Sequence, residues 1–382
     1  MLFTSLLAGL TLAASAVEAF PHRPHEIRTF SNKVIFVPPT NYTDPRVLYA
    51  RTAELQDGTL LATWENYSPE PPPVYFPIFE SKDSGLSWKE ISKVTDQGYG
   101  WGLRYQPFLY ELPIPFGGFP AGTVLLAGSS IPTDLSKTQI DLYASTDKGH
   151  TWKFVSHVAA GGRAVPNNGE TPVWEPFLMI YKDLMVMYYS DQRDPAHGQK
   201  LVHQTSKDLR NWGAVVDDVA YAEYTARPGM TTVTKLPNGK YIMTYEYGGG
   251  PGYSSYTFPV YYRIAANPLE FNSAPGHAIV AKDGTAPIGS PYITWSSEGG
   301  KDGTIIVSDG SHSDIFVNRA LGADNQWEKY STPQPVAYTR HLRVFSEDPN
   351  RLLIMGAGHL PPSTTNNVSL SVVDLKKTIH LT

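Results

Sequence analysis

Two glutamates stand out by local context. Glu175 sits in Val173-Trp174-Glu175-Pro176, between an indole and a proline that fixes the backbone and removes one amide donor. Glu246 sits in Thr244-Tyr245-Glu246-Tyr247, between two phenols, and is followed by Gly248-Gly249-Gly250. Such neighbours favour desolvation, which raises a carboxyl pKa toward the range useful for a proton donor. Two carboxyls held about 5 Å apart on either side of an acetal linkage can cleave it with retention, one as nucleophile and the other as acid and then base. Either glutamate alone reads equally well as a rim acid paired with an arginine; the pair is what points to chemistry. Glu170, in Asn167-Asn168-Gly169-Glu170, competes for the first position, but it precedes the strand in a Pro/Asn/Gly loop.

The elements that must position these acids form a repeat whose inserts vary in length. An apolar strand, a turn rich in Gly, Asp or Asn, and a second apolar strand ending in polar residues recur six times, starting at Val47, Leu103, Val173, Ala226, Gly289 and Arg340. Asp57-Gly58, Asn238-Gly239 and Asp302-Gly303 are hairpin signals within it. A second segment follows several copies. Residues 81–88 (SKDSGLSW) and 145–152 (STDKGHTW) match the S-x-D-x-G-x-[ST]-W Asp-box, a turn in which the Asp accepts backbone N–H bonds and the Trp folds over the hairpin. Asp83 and Asp147 are therefore structural. Four strands per copy predict an all-β six-bladed β-propeller, with the first pair of each copy innermost. Five blades plus a decoration is the nearest competing count.

In an antiparallel pair, the start of the first strand and the end of the second share one rim. That rule gathers Arg51, Arg104, Glu175, Arg227, Ser290 and His341 with Glu65, Asp191, Glu246, Asp309 and His359, attended by Trp64, Trp101, Tyr105, Trp174, Tyr245, Tyr247 and Tyr338. Carboxylates, arginines and rings around a concavity suit a carbohydrate, whose C–H faces stack on rings while its hydroxyls bind polar groups. The expected site is thus Glu175 and Glu246 as catalytic, with Glu65, Trp101, Arg104, Tyr105, Trp174, Asp191, Arg227, Tyr247, Tyr338 and His341 binding substrate.

Composition narrows the alternatives. The 382 residues carry 31 Lys+Arg against 36 Asp+Glu and no basic run, which argues against nucleic acid as a partner. Residues 1–19 read as a cleaved secretory signal and 20–382 as a single domain; no later segment is apolar enough to span a membrane. Sequons at Asn41, Asn66 and Asn367 agree with a secretory route. With no Cys, no disulfide is possible and the core alone must hold the fold. The 11 His form no close-spaced ligand pattern, so neither a metal nor another cofactor is expected.

The leader, the Asp-boxes, Val-Trp-Glu-Pro at 173–176 and Thr-Tyr-Glu-Tyr-Gly-Gly at 244–249 resemble the fungal family-93 glycoside hydrolases of the sialidase-like superfamily. The resemblance implies a six-bladed propeller that acts as a retaining exo-α-1,5-L-arabinanase. It implies release of arabinobiose from the non-reducing end of linear arabinan, a pectin side chain, with two catalytic glutamates carried onto Glu175 and Glu246; the leader predicts secretion, and a monomer is expected. Glu246 is assigned as acid/base and Glu175 as nucleophile, kept ionised by Arg104 or Arg227. Two other readings stay open. A sialidase would use Arg104, Arg227 and Arg340 or Arg343 to hold a substrate carboxylate, with Tyr245 beside Glu246 as the reacting pair. A non-catalytic propeller lectin would need the rings and arginines but not both glutamates.

Overall fold

The structure, a computed structural model, describes residues 26–381, so the leader read at 1–19 lies outside the described residues. Among the described residues the strands form six four-stranded antiparallel sheets. Five of them, blades I to V, are meanders of consecutive strands. The innermost strands of blades I to VI are Val47–Glu54, Leu103–Glu111, Val173–Tyr181, Arg227–Lys235, Tyr292–Ser296 and His341–Val344. They match the six sequence copies one for one. Blade VI closes the ring with strands from both ends of the described residues: Arg351–Gly356 and Val368–Asp374 follow its innermost strand, and Phe30–Phe36 supplies the outer edge, Phe30 pairing with Val372. Radial closure leaves only short, protected edges, which a fold without disulfides needs.

Between the two outer strands of blades I and II, the hairpins do structural work with their acids. Asp83 Oδ1 accepts from Ser87 N at 2.8 Å and Trp88 Nε1 donates to Gly85 O at 3.0 Å. Asp147 and Trp152 repeat both bonds with Thr151 and Gly149. Gly149, at φ +89°, packs its backbone onto Leu61 and Ile78 of blade I, so this hairpin also staples neighbouring blades. Apolar side chains fill the wedges between sheets, Phe76 of blade I lying against Gly128 of blade II. Asn66, the middle sequon, is buried at 3% exposure, which leaves no room for a glycan on the folded domain.

The innermost strands share a device that sequence periodicity hides. Each carries, near its start, a non-glycine residue in the left-handed region: Tyr49, Gln106, Glu175, Met230, Ser290 and Thr339, with φ between 40 and 62°. In blades I to IV the pairing register slips at that point, between Leu48 and Arg51, Tyr105 and Phe108, Trp174 and Phe177, and Gly229 and Thr232. Each is a bulge that re-aims a side chain, at a cost of about 1–3 kcal/mol of backbone strain. Strain of this kind persists only where the surroundings over-determine it, and here all six sites ring one funnel.

Candidate active site

The bulges are tied together by hydrogen bonds handed from blade to blade. Gln106 N donates to Glu65 Oε1 at 2.9 Å, Glu175 N to Gln106 Oε1 at 3.1 Å, and Met230 N to Glu175 Oε2 at 2.7 Å. Ser290 N donates to Glu246 Oε2 at 2.7 Å and Thr339 N to Ser290 Oγ at 3.1 Å. The backbone of one blade thus orients the acid of the preceding one. These residues surround a cavity of about 610 Å³ lined by Glu65, Tyr105, Trp174, Glu175, Arg227, Glu246 and Tyr338 from the sequence reading. Tyr67, Gln106, Gln199, Phe258, Leu360 and Pro361 complete much of its wall.

Glu175 and Glu246 meet above Gly229. A Cβ on that glycine would lie 3.4 Å from Glu246 Oε1 and 3.5 Å from Glu175 Oε2, so these oxygens are at most about 7 Å apart, a span that one glycosidic linkage can bridge. The missing side chain is what keeps the gap open. Glu175 Oε2 accepts a second bond, from Ser190 Oγ at 2.6 Å, while its Oε1 has no protein donor among the described residues. Likewise Glu246 Oε1 is free, because Ser290 N holds Oε2.

Electrostatics separate the two acids. Burial raises the Glu175 pKa, but the Ser190 hydroxyl, the Met230 amide and the Arg227 and Arg51 charges all pull it back. Glu246 is pushed up to about 8, first by its depth in the funnel and then by the Glu175 charge; one amide and Arg227 oppose this only in part. Adjacent carboxyls in unlike surroundings share their protons unequally, and Glu246 holds one more tightly. Glu65 is raised to about 7 by burial against the bonds it receives from Tyr67 Oη (2.7 Å) and Gln106 N. Arg227 is steered into place by Asn168, Gln192 and Gln199, whose side-chain oxygens accept its Nη1 and Nη2 at 2.8–3.0 Å. Trp174 Nε1 donates to the same Gln192 oxygen at 2.9 Å, which fixes the indole face beside Tyr105.

Five residues expected in the binding set lie elsewhere. Trp101 stacks on Tyr99 at 4.3 Å in a loop gathered by Asp96. Arg104 is engaged by Glu70 at 2.9 Å, and Asp191 by Arg193 at 2.6 Å. Tyr247 lies flat on Tyr221 at 4.0 Å, because strand alternation sends Tyr245 and Tyr247 to the face opposite Glu246. His341 is wholly buried below the cavity against Tyr292 at 4.4 Å, two residues past the bulge at Thr339. Glu170 pairs with Arg163 at 3.8 Å, outside the cavity lining. The arginine trio of the sialidase reading does not assemble: Arg340 is spent on Ser313 O, Asp314 O and Asp309, and Arg343 bonds Thr52 near the opposite mouth. Tyr245 Oη bonds Tyr221 Oη at 2.7 Å rather than addressing the funnel.

Gln106, Gln199 and Tyr67 escaped sequence reasoning, yet one signal for Gln106 was present. Gln106-Pro107, Glu175-Pro176 and Ser290-Pro291 place a proline after the left-handed residue in three blades, which would have aligned their registers.

A closed propeller with two unlike carboxyls facing each other across its funnel has the equipment of a glycoside hydrolase. Its solved relatives agree. An α-L-arabinofuranosidase of Fusarium graminearum, described as a GH93 enzyme and solved with arabinobiose, is 63% identical, covers 92% of this chain and 99% of its own, and superposes with a TM-score of 0.91. An α-L-arabinanase of Penicillium chrysogenum, also solved with arabinobiose, is 56% identical over 92% and 99% of the two chains, with a TM-score of 0.90. The chain belongs to glycoside hydrolase family 93. A Streptococcus pneumoniae sialidase, 10% identical over 92% of this chain and 70% of its own with a TM-score of 0.56, shares the fold alone. No family model and no curated protein matches the chain.

Proposed function

We propose that this hydrolase is secreted, acts with retention, and releases arabinobiose from the non-reducing end of linear α-1,5-L-arabinan. The observation that carries the reading is the closeness of Glu175 and Glu246: Glu175 Oε2 and Glu246 Oε1 lie no more than about 7 Å apart, which supports direct attack by one acid while the other protonates the leaving oxygen. Arabinobiose bound to the Fusarium and Penicillium relatives supports the substrate class.

In the first step Glu175 Oε1 attacks the anomeric carbon, and the bond to the leaving oxygen breaks as Glu246 Oε1 gives that oxygen its proton. In the second, Glu246 takes a proton from water, the water oxygen attacks the anomeric carbon, and Glu175 departs as carboxylate. Arg227 keeps Glu175 ionised between steps. Tyr67, Tyr105 and Trp174 offer rings to the sugar faces, and Glu65 accepts a hydroxyl. Leu360 and Pro361 of blade VI would wall off the chain end and limit cleavage to terminal units.

Chromatography of the products from linear arabinan, with NMR of the first-formed anomer, tests this reading. Arabinobiose of retained configuration is expected; an inverted anomer or internal fragments would overturn it. Glu175→Gln and Glu246→Gln should each lower kcat at least about 1,000-fold with Tm preserved, because neither acid packs the core. Unimpaired turnover in either variant removes that residue from the chemistry.

A further inference from the structure

Gln106 has a fixed orientation and unspent donors. It is 8% exposed, sits on the blade II bulge at φ +58°, and lines the cavity with Glu65 on one side and Glu175 on the other. Its carboxamide oxygen receives Glu175 N at 3.1 Å and Ser129 Oγ at 3.5 Å. A backbone N–H can only donate, so the atom facing it is the oxygen and the opposite atom is the amide nitrogen. That Nε2 has no protein acceptor among the described residues. Gln199, the other glutamine of the wall, is spent: its Nε2 donates to Pro228 O at 2.9 Å and its Oε1 accepts Arg227.

The two N–H groups of Gln106 Nε2 face the cavity with no protein acceptor among the described residues, so a ligand or water must take them. The bond to Glu175 N ties the carboxamide to the backbone of the nucleophile, and both side chains line the same cavity. We infer that Gln106 Nε2 is a substrate contact that donates to the hydroxyl on carbon 2 of the ring being cleaved, the hydroxyl adjacent to the anomeric carbon. Hydrogen bonds at that position strengthen as the ring gains oxocarbenium character, so this contact acts on kcat as well as on binding. The inference rests on the hydrolase reading and adds to it a residue that selects the sugar by a hydroxyl.

The test is a cycle of two enzymes and two substrates. An aryl α-arabinobioside and its analogue lacking the 2-hydroxyl on the cleaved ring are assayed with the natural enzyme and with Gln106→Glu, which keeps an acceptor for Glu175 N and loses both donors. Gln106→Met, with no charge, controls for the added carboxylate, and Tm confirms folding of each. In the natural enzyme, removing the hydroxyl should lower kcat/KM about 100-fold. In both variants the parent substrate should lose a similar factor, and further removal of the hydroxyl should cost no more than about threefold. A penalty for the missing hydroxyl that persists undiminished in the variants, or variants as active as the natural enzyme, overturns the inference. Failure of the hydrolase reading is distinguishable, since it would appear as activity surviving in Glu175→Gln or Glu246→Gln.

Discussion

Ser190→Ala offers a direct way to tell the nucleophile from the acid. Ser190 is wholly buried on the second strand of blade III, opposite Trp174, and its hydroxyl donates to Glu175 Oε2 at 2.6 Å. Alanine fits the same space, so the fold should be unaffected beyond about 1 kcal/mol. The lost bond favoured the ionised form of Glu175, and its removal raises that pKa. Hydrogen bonds to charged groups are worth about 1.5–3 kcal/mol, or about 1–2 pKa units. The Met230 amide and Arg227 remain in place, so the lower end, about 1 unit, applies. A nucleophile must be ionised, so activity falls as pH drops through its pKa. The acidic limb of kcat/KM should therefore move up by about 1 unit while the alkaline limb, set by Glu246, stays nearly fixed. Initial rates on an aryl arabinobioside across the full pH range read both limbs at once. Were Glu175 instead the proton donor, the same substitution would shift the alkaline limb upward and leave the acidic one alone. That pattern, or no movement of either limb, would refute the assignment.

Three further outcomes follow from the packing and charge of the funnel and its blades. Glu246, raised to about 8, must be protonated to act as acid, so kcat/KM of the natural enzyme should fall as pH rises through about 8 and hold from there down to the acidic limb. Gly229→Ala puts a methyl group 3.4 Å from Glu246 Oε1 and 2.8 Å from Gln199 Nε2; kcat/KM should drop at least about 10-fold, with little change in the far-UV circular dichroism spectrum. In Gly128→Ala the new Cβ meets the Phe76 ring between blades I and II, and chemical denaturation should show a loss of about 1–3 kcal/mol while the surviving folded enzyme keeps its kcat.

Much of the architecture could be read from the chain. The hairpin pairs beginning at Val47, Leu103, Val173, Ala226, Gly289 and Arg340 became the inner strands of six blades, and Glu175 and Glu246 came to face one cavity. Register was the part that could not be read. Strict alternation from the strand starts points to Arg51, Arg104 and His341, whereas the bulges bring Tyr49, Gln106 and Thr339 to the equivalent places. An inserted residue in αL shifts the facing side chain, and only the X-Pro pairs in blades II, III and V betray it in one dimension. Tyr247 and Trp101 went astray for different reasons. The first obeys alternation and therefore turns away from its neighbour Glu246, while the second lies in a loop whose path is set by Asp96 bonding to the amides of Gly98, Tyr99, Trp101 and Gly102.

The way blade VI is assembled bears on how the chain reaches its native state. Phe30–Phe36 pairs with Val368–Asp374, and all the strands of the other five blades lie between the two in sequence. Until Val368–Asp374 has been made, Phe30–Phe36 lacks its sheet partner, and contacts so remote in sequence form slowly. Closure of blade VI is therefore the step that completes the ring, and the time before it is when misassembly has its opening.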